Sequence, residues 1–222
     1  MPSIHAAIFD LDGTLVDSLP GIASGLNEAL RANGLPSHPP EKVRDFIGNG
    51  SRMLVQRGIG GTPPVELVDS VHRDFFSAYD SRWRTGTQVY PGIRGLLEEL
   101  HSNGLPLAVC SNKPHHYTIE IMNALLDWVP WDMILGQQDS LPRKPNPCAA
   151  LQIANHINLP PEKIAFVGDS LVDFETATAA GMQPILVTWG FQPAEALRTT
   201  TTRLARSAEA LRKFLLAPHR GS

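Results

Sequence analysis

The sequence predicts an α/β protein with a doubly wound, Rossmann-like parallel sheet and a small α-helical domain inserted near its start. Strand-like and helical segments alternate from residue 89 onward, which is typical of a parallel sheet with helices on both faces. One apolar strand precedes them, and the segment between has helical periodicity alone. We therefore predict a sheet domain of residues 1–17 and 89–222, and a helical cap of residues 18–88 over the end of the first strand.

The N-terminal half supplies one strand and four helices. The first strand is an apolar run rich in Ile and Phe that stops at Asp10. Beyond it, apolar residues recur at helical spacing in segments separated by turns rich in Gly and Pro. No segment between residues 18 and 88 has the pattern of a strand. The predicted helices are 19–33, 40–46, 51–58 and 65–84.

The C-terminal half supplies the alternating elements. Gly104 and Gly181 follow two of its helices, as expected of left-handed helix caps. The predicted strands are 105–110, 133–135, 164–167 and 184–187. The predicted helices are 92–103, 114–126, 147–157, 171–180 and 208–216. Ligands of such sheets bind just beyond the carboxyl ends of the strands, so functional residues are expected there.

Composition limits the classes of partner. The 222 residues are 42% hydrophobic and 18% charged, which is typical of a globular protein. A formal net charge of -3 disfavours a nucleic-acid partner, and no apolar stretch is long enough to span a membrane. Cys110 and Cys148 form no C-x-x-C pair, which favours a reducing, cytoplasmic location.

Two carboxylates, Asp10 and Asp12, stand where the first strand ends, followed by Gly13. Two like charges about 4 Å apart repel by roughly 4 kcal/mol at an effective dielectric of 20, so a metal ion or a shared proton is expected between them. An ordinary Asp-Gly turn is the alternative. A calcium loop is excluded, because Leu15 and Gly21 stand where that loop needs Gly and Glu.

Polar residues also follow the other predicted strands. Ser111, Lys144, Asp169 and Asp173 come in this order after successive strands. Taken singly, Ser111 or Asp169 could cap a helix, Asp173 could complement a helix dipole, and Lys144 could be a surface lysine. Their joint placement at strand ends favours a shared site.

These motifs resemble the haloacid dehalogenase superfamily of phosphohydrolases over nearly the whole chain. Residues 9–18 match the first motif of that family, Ser111 the second, Lys144 the third and residues 168–173 the fourth. The family places a small α-helical cap between its first and second motifs. The resemblance therefore implies the same core and cap for this chain.

The resemblance also implies a phosphoryl transfer chemistry. Asp10 would be the nucleophile that forms an aspartyl-phosphate, and Asp12 the general acid and then the general base.

Mg²⁺ would be held by the Asp10 carboxylate, the Asp12 backbone carbonyl and Asp169. Asp173 and Thr14 would support the site, Asp173 by orienting Lys144 or a water. The implied substrate-binding groups are Ser111, the Asn112 backbone N–H and Lys144.

Several turns, including residues 111–114 and 188–191, are most similar to bacterial phosphoglycolate phosphatases. The resemblance thus implies a phosphomonoesterase acting on 2-phosphoglycolate. Open alternatives are a phosphatase of a sugar phosphate, a muramic-type sugar phosphate or pyrophosphate, and a phosphotransferase or mutase. A phosphate-sensing module is disfavoured, because binding alone needs no acid/base.

Substrate choice is expected to depend on the helical cap. Asn49, Gly50 and Arg52 are the candidates there, since the turn could present backbone amides and an arginine can meet a substrate carboxylate bidentately. The ordinary alternative is a helix-entry turn beside a solvated arginine. The expected partner is a small phosphorylated metabolite, with no nucleic acid and no membrane, and both a monomer and a homodimer stay open.

Overall fold

The structure is a computed structural model that describes residues 3–198, 200 and 203–217. The chain divides into two compact units, which we call the α/β unit (Met1–Leu15 with Val89–Ser222) and the helical unit (Val16–Gln88). None of the helices in the described residues is long and apolar enough to cross a membrane.

The α/β unit is built on a six-stranded parallel sheet. The strands of the chain are β1 (Ala6–Phe9), β2 (Val16–Asp17), β3 (Gln88–Val89), β4 (Leu107–Pro114), β5 (Met133–Gln137), β6 (Ile164–Gly168), β7 (Gln183–Val187) and β8 (Leu204–Ala205). In the large sheet their order is β5-β4-β1-β6-β7-β8, so β4 and β6 flank β1. The short strands β2 and β3 pair in a separate sheet where the chain enters and leaves the helical unit.

Ten α-helices accompany these strands in the described residues. They are α1 (Leu19–Ala32), α2 (Pro40–Arg44), α3 (Ser51–Ile59), α4 (Val65–Gly86), α5 (Ile93–Ser102), α6 (His115–Leu125), α7 (Cys148–Ile157), α8 (Leu171–Ala179), α9 (Ala194–Leu197) and α10 (Ala208–Leu215). The first four form the helical unit. The others flank the parallel sheet.

The central strand β1 is apolar at every position and fully buried. Because side chains alternate along a strand, both faces of such a strand must be covered. On one face, Ala6 and Ile8 join a core cluster with Phe166 of β6, Ile153 of α7 and Ala177 of α8. This packing fixes β1 in the middle of the sheet and thereby fixes the place where it ends.

The helical unit is held together by the packing of α1 against α4. Gly21 makes the close approach possible, since a Cβ on this residue would lie 3.2 Å from the Cα of Trp83. Farther along α4, the rings of Phe75 and Tyr79 stack with centroids 5.4 Å apart. Apolar residues at helical spacing thus form the core of this unit, as their periodicity predicts.

The predicted α/β fold with a parallel sheet is confirmed. The periodicity of the sequence does not predict β2, β3, β8 or α9, because elements of two to four residues are too short to have a period. The strand β3 begins at Gln88, the last residue of a stretch predicted to be free of strands. β4 also continues through Pro114, which pairs with Gln137, whereas the prediction ended it at Cys110.

Candidate active site

The parallel strands bring the predicted motif residues to one edge of the sheet. Asp10 directly follows β1, Asp169 directly follows β6, and Ser111 lies in β4, the other neighbour of β1. One carboxylate oxygen from each of Asp10, Asp169 and Asp173 lies within 4.8 Å of the other two. The carboxyl ends of parallel strands meet at one edge of a sheet, so carboxylates from two distant stretches of sequence form one cluster.

Lys144 lies between two of these carboxylates. Its Nζ is 2.9 Å from Asp10 Oδ1 and 2.7 Å from Asp173 Oδ1, and only 3% of its side chain is exposed. The second oxygen of Asp173 accepts hydrogen bonds from the backbone N–H and the hydroxyl of Ser170, which caps α8. Asp173 therefore connects the start of α8 to the ammonium that contacts Asp10.

Asn112 fixes the backbone of Lys144. The Asn112 side-chain amide donates to the Lys144 carbonyl at 3.0 Å, and its Oδ1 accepts from the Lys144 N–H at 2.9 Å. Sequence reasoning assigned only the backbone N–H of Asn112 to the site. The structure adds a side chain that bridges β4 to the loop after β5.

A second lysine, Lys113, contacts Asp12. Its Nζ lies 3.2 Å from Asp12 Oδ1 and 3.1 Å from Asp12 Oδ2. The sequence alone assigns Lys113 no function. Its position two residues after Ser111 is a weak signal, because the register of β4 shifts between Cys110 and Pro114.

Asp169 is enclosed by two glycines and one backbone donor. A Cβ on Gly13 or on Gly190 would lie 2.3 Å from Asp169 Oδ2, closer than a non-bonded carbon can approach an oxygen. The Phe191 N–H donates to the same oxygen at 2.6 Å. Gly13 also has a φ of 82°, which glycine adopts without strain. These two glycines therefore leave the space that the Asp169 carboxylate occupies.

Ser111 and Thr14 are also buried at this edge of the sheet. Ser111 Oγ accepts a hydrogen bond from the Lys113 N–H at 3.3 Å. The Thr14 carbonyl accepts from the indole N–H of Trp189 at 3.1 Å. Within the described residues, no hydrogen-bond partner reaches the fully buried Thr14 Oγ1.

Burial shifts the pKa values of the cluster. It raises the pKa of Asp10 from 3.8 to about 6, although the nearby Lys144 ammonium opposes the shift. Burial, with the charges of Asp173 and Asp10, also raises the pKa of Asp169 well above its usual value. Burial alone would lower the pKa of Lys144, but the two carboxylates beside it raise it, so this lysine stays charged.

The donor set fits a magnesium ion. Mg²⁺ prefers carboxylate and carbonyl oxygens, and a cation near Asp10 and Asp169 would offset the burial and the mutual repulsion that raise their pKa values. Both oxygens of Asp173 already accept hydrogen bonds, one from Lys144 and one from Ser170. Asp10 and Asp169 are therefore the carboxylates best placed to hold the ion.

The predicted substrate-selecting residues lie in the helical unit. Asn49 Oδ1 accepts from Arg57 Nη2 at 2.6 Å. Arg52 Nη1 donates to Asp69 Oδ1 at 2.5 Å, and 44% of each of these side chains is exposed. Both candidates thus take part in surface hydrogen bonds within this unit.

Comparison with known proteins identifies the family. The family model of haloacid dehalogenase-like hydrolases matches residues 7–187, which include all the motif residues described above. The crystal structure of a haloacid dehalogenase-like hydrolase from Streptococcus pneumoniae superposes with a TM-score of 0.86 at 27% identity, covering 95% of this chain and 98% of that one. The chain belongs to the haloacid dehalogenase-like hydrolases.

The curated relatives narrow the class further. A phosphoglycolate phosphatase from Yersinia pseudotuberculosis is 34% identical over 201 residues, which cover 89% of this chain and 87% of the relative. One from Psychrobacter arcticus is 33% identical over 202 residues, covering 86% of each chain. This protein is accordingly a phosphoric monoester hydrolase similar to the phosphoglycolate phosphatases.

Proposed function

We propose that this protein hydrolyses 2-phosphoglycolate in a Mg²⁺-dependent reaction that passes through an aspartyl-phosphate on Asp10. The supporting observation is the position of Asp10 at the end of the central strand, 2.9 Å from Lys144 and beside Asp169. A nucleophilic carboxylate has to be ionised, and the Lys144 ammonium favours that form against the effect of burial.

The residues of the site account for both halves of the reaction. Asp10 attacks phosphorus, and the bond from phosphorus to the leaving oxygen breaks as Asp12 donates a proton to that oxygen. Asp12 then accepts a proton from the water that attacks the aspartyl-phosphate, which releases phosphate and restores Asp10. Lys144 donates a hydrogen bond to Asp173 and forms an ion pair with Asp10, and a further N–H of its ammonium is available to a phosphoryl oxygen, as is the hydroxyl of Ser111.

Mg²⁺ would be held by Asp10, Asp169 and the backbone carbonyl of Asp12. When bound, the ion neutralises negative charge on the phosphoryl group during transfer. Thr14 supports this arrangement through its backbone, because its carbonyl holds the indole of Trp189 next to Gly190.

The substrate is proposed from the relatives and from the helical unit. Relatives that match over most of the chain are named for phosphoglycolate. We interpret the helical unit as a cap in which Asn49 and Arg52 bind the carboxylate end of the substrate. A guanidinium has five N–H donors, and Asp69 accepts from only one nitrogen of Arg52, so other N–H groups can bind a ligand. A cytoplasmic location stays a prediction.

The test is phosphate release from a panel of small esters, with Mg²⁺ and with a chelator. The panel contains 2-phosphoglycolate, two sugar phosphates, a muramic-type sugar phosphate and pyrophosphate. We expect the highest kcat/KM for 2-phosphoglycolate, loss of activity on chelation, and a loss of about 10³-fold or more in Asp10→Asn. Activity that survives Asp10→Asn would contradict the mechanism, whereas a higher kcat/KM on another ester would contradict only the substrate. Transfer of phosphate between sugar positions would indicate a mutase.

A further inference from the structure

Asp10 and Asp12 contact different lysines in different ways. Lys144 is shared between Asp10 and Asp173, with one oxygen of each carboxylate in contact. Lys113 instead contacts both oxygens of Asp12, at 3.2 and 3.1 Å. Contact with both oxygens fixes the rotation of a carboxylate as well as its position.

The Asp12–Lys113 pair is withdrawn from solvent. Only 6% of the Lys113 side chain and 15% of the Asp12 side chain are exposed. An exposed ion pair is screened by water and contributes little, whereas removal of one member of a buried pair leaves the other charge uncompensated. The orientation of Asp12 therefore depends on Lys113 far more than a surface carboxylate would depend on its counter-ion.

We propose that Lys113 is the positioning residue of Asp12, which holds this carboxyl group where it can donate a proton to the leaving oxygen. The inference rests on the proposed role of Asp12 as general acid. A general acid works only within hydrogen-bond reach of the oxygen that it protonates, and a displacement of 1 Å can lower the rate by about 100-fold. Lys113 itself exchanges no proton with substrate.

Leaving-group dependence tests this assignment. The 4-nitrophenolate of p-nitrophenyl phosphate leaves readily without a proton, whereas the alkoxide of an alkyl phosphate needs one. For Lys113→Met we expect kcat/KM to fall about 100-fold on the alkyl ester that the wild type cleaves fastest, and less than about 10-fold on p-nitrophenyl phosphate. The ratio kcat/KM is the suitable readout, because it covers the steps up to the release of the leaving group.

Two matched variants distinguish the loss of Asp12 positioning from the loss of a lysine side chain in general and from damage to the fold. Lys113→Arg keeps a cation that can bind both oxygens of a carboxylate, and we expect it to retain most of the alkyl activity. Lys213→Met makes the same substitution at an exposed lysine that pairs with Glu209, and we expect wild-type kinetics. Thermal unfolding of each variant checks that the fold is retained.

A double mutant identifies the route through which Lys113 acts. If Lys113 acts through Asp12, then Asp12→Asn combined with Lys113→Met should be no slower on the alkyl ester than Asp12→Asn alone. Additive losses, or equal losses on both esters in Lys113→Met, would overturn the proposal and indicate a lysine that binds the phosphoryl group. If the wild type itself cleaves no ester, the proposed function fails instead, which is a different result.

Discussion

Charges at the edge of the parallel sheet are arranged differently from those in the helical unit. At the sheet edge, Lys144 has 3% of its side chain exposed and lies between two carboxylates. In the helical unit, Arg52 pairs with Asp69 and Arg82 pairs with Glu28, and between 44% and 48% of each of these side chains is exposed. At the sheet edge a buried charge contacts several partners, whereas each of these exposed charges in the helical unit pairs with one partner.

This difference in burial distinguishes charges that serve the chemistry of the site from exposed charges that keep the surface soluble. Buried charges lower stability unless they are paired and hydrogen-bonded, so a protein that keeps a cluster of them does so for a function. Exposed pairs contribute little to folding and can be replaced without much effect. Substitutions in the two regions should therefore differ in their effects on stability, metal binding and catalysis.

The largest difference is expected in stability. Lys144→Met leaves Asp10 and Asp173 buried without their common cation and should lower the free energy of unfolding by about 3 kcal/mol. Arg82→Met removes an exposed pair in the helical unit and should lower it by less than about 1 kcal/mol. Urea-induced unfolding of both variants measures the two values. Equal losses would show that the sheet-edge cluster does not depend on its lysine.

Metal affinity should respond to the glycine that encloses Asp169. A Cβ at position 190 would lie 2.3 Å from Asp169 Oδ2, so Gly190→Ala has to displace this carboxylate. We expect the dissociation constant for Mg²⁺ to rise about 10- to 100-fold in isothermal titration calorimetry. Gly95→Ala is the control, because a Cβ on this exposed residue of α5 meets no atom within 4 Å. Unchanged affinity in Gly190→Ala would indicate that Asp169 does not bind the ion.

The stability of the metal-free protein should depend on pH through the same carboxylates. The folded protein raises the pKa of Asp10 from 3.8 to about 6 and also raises that of Asp169. Between pH 4 and the raised values the folded state binds more protons than the unfolded state, so stability falls as pH rises through this window.

Asp169→Asn removes one of these buried charges and keeps an oxygen for the Phe191 N–H. We expect its melting temperature without metal at pH 7.5 to exceed that of the wild type by about 5 °C. The advantage should shrink near pH 4.5, where the wild-type carboxyl is protonated. A constant difference at both pH values would show that charge is not the cause.

The sheet-edge site is largely predictable from the sequence because each motif follows an apolar strand. Parallel strands end at a common edge, so the order of strands and motifs along the chain is enough to predict that Asp10, Ser111 and Asp169 lie together. The contacts of Asn112 and Lys113 could not be predicted, since they depend on the irregularity of β4 after Cys110. The alternation of side-chain direction with a period of two holds for a regular strand, and it no longer predicts where a side chain points once the register shifts.

In the helical unit, the sequence predicts only those features that follow from the helical spacing of apolar residues. Apolar spacing predicts four helices and their buried faces, and the structure has four helices in this unit. Periodicity does not identify the partner of a charged residue on the outer face. Arg52 and Asp69 belong to different helices, 17 positions apart, and their pairing follows from how α3 and α4 pack.

The smallest expected effect concerns the proposed role of Arg52 in substrate choice. Arg52→Met should raise KM for 2-phosphoglycolate about fivefold, which corresponds to the roughly 1 kcal/mol of a partly exposed charge pair. KM for p-nitrophenyl phosphate, which has no carboxylate, should stay unchanged, as should the melting temperature. Arg82→Met, in an equally exposed pair, is the matched control and should leave both KM values unchanged. If Arg52→Met behaves like this control, then Arg52 belongs with the exposed pairs of the helical unit, and the carboxylate of the substrate is bound by other residues.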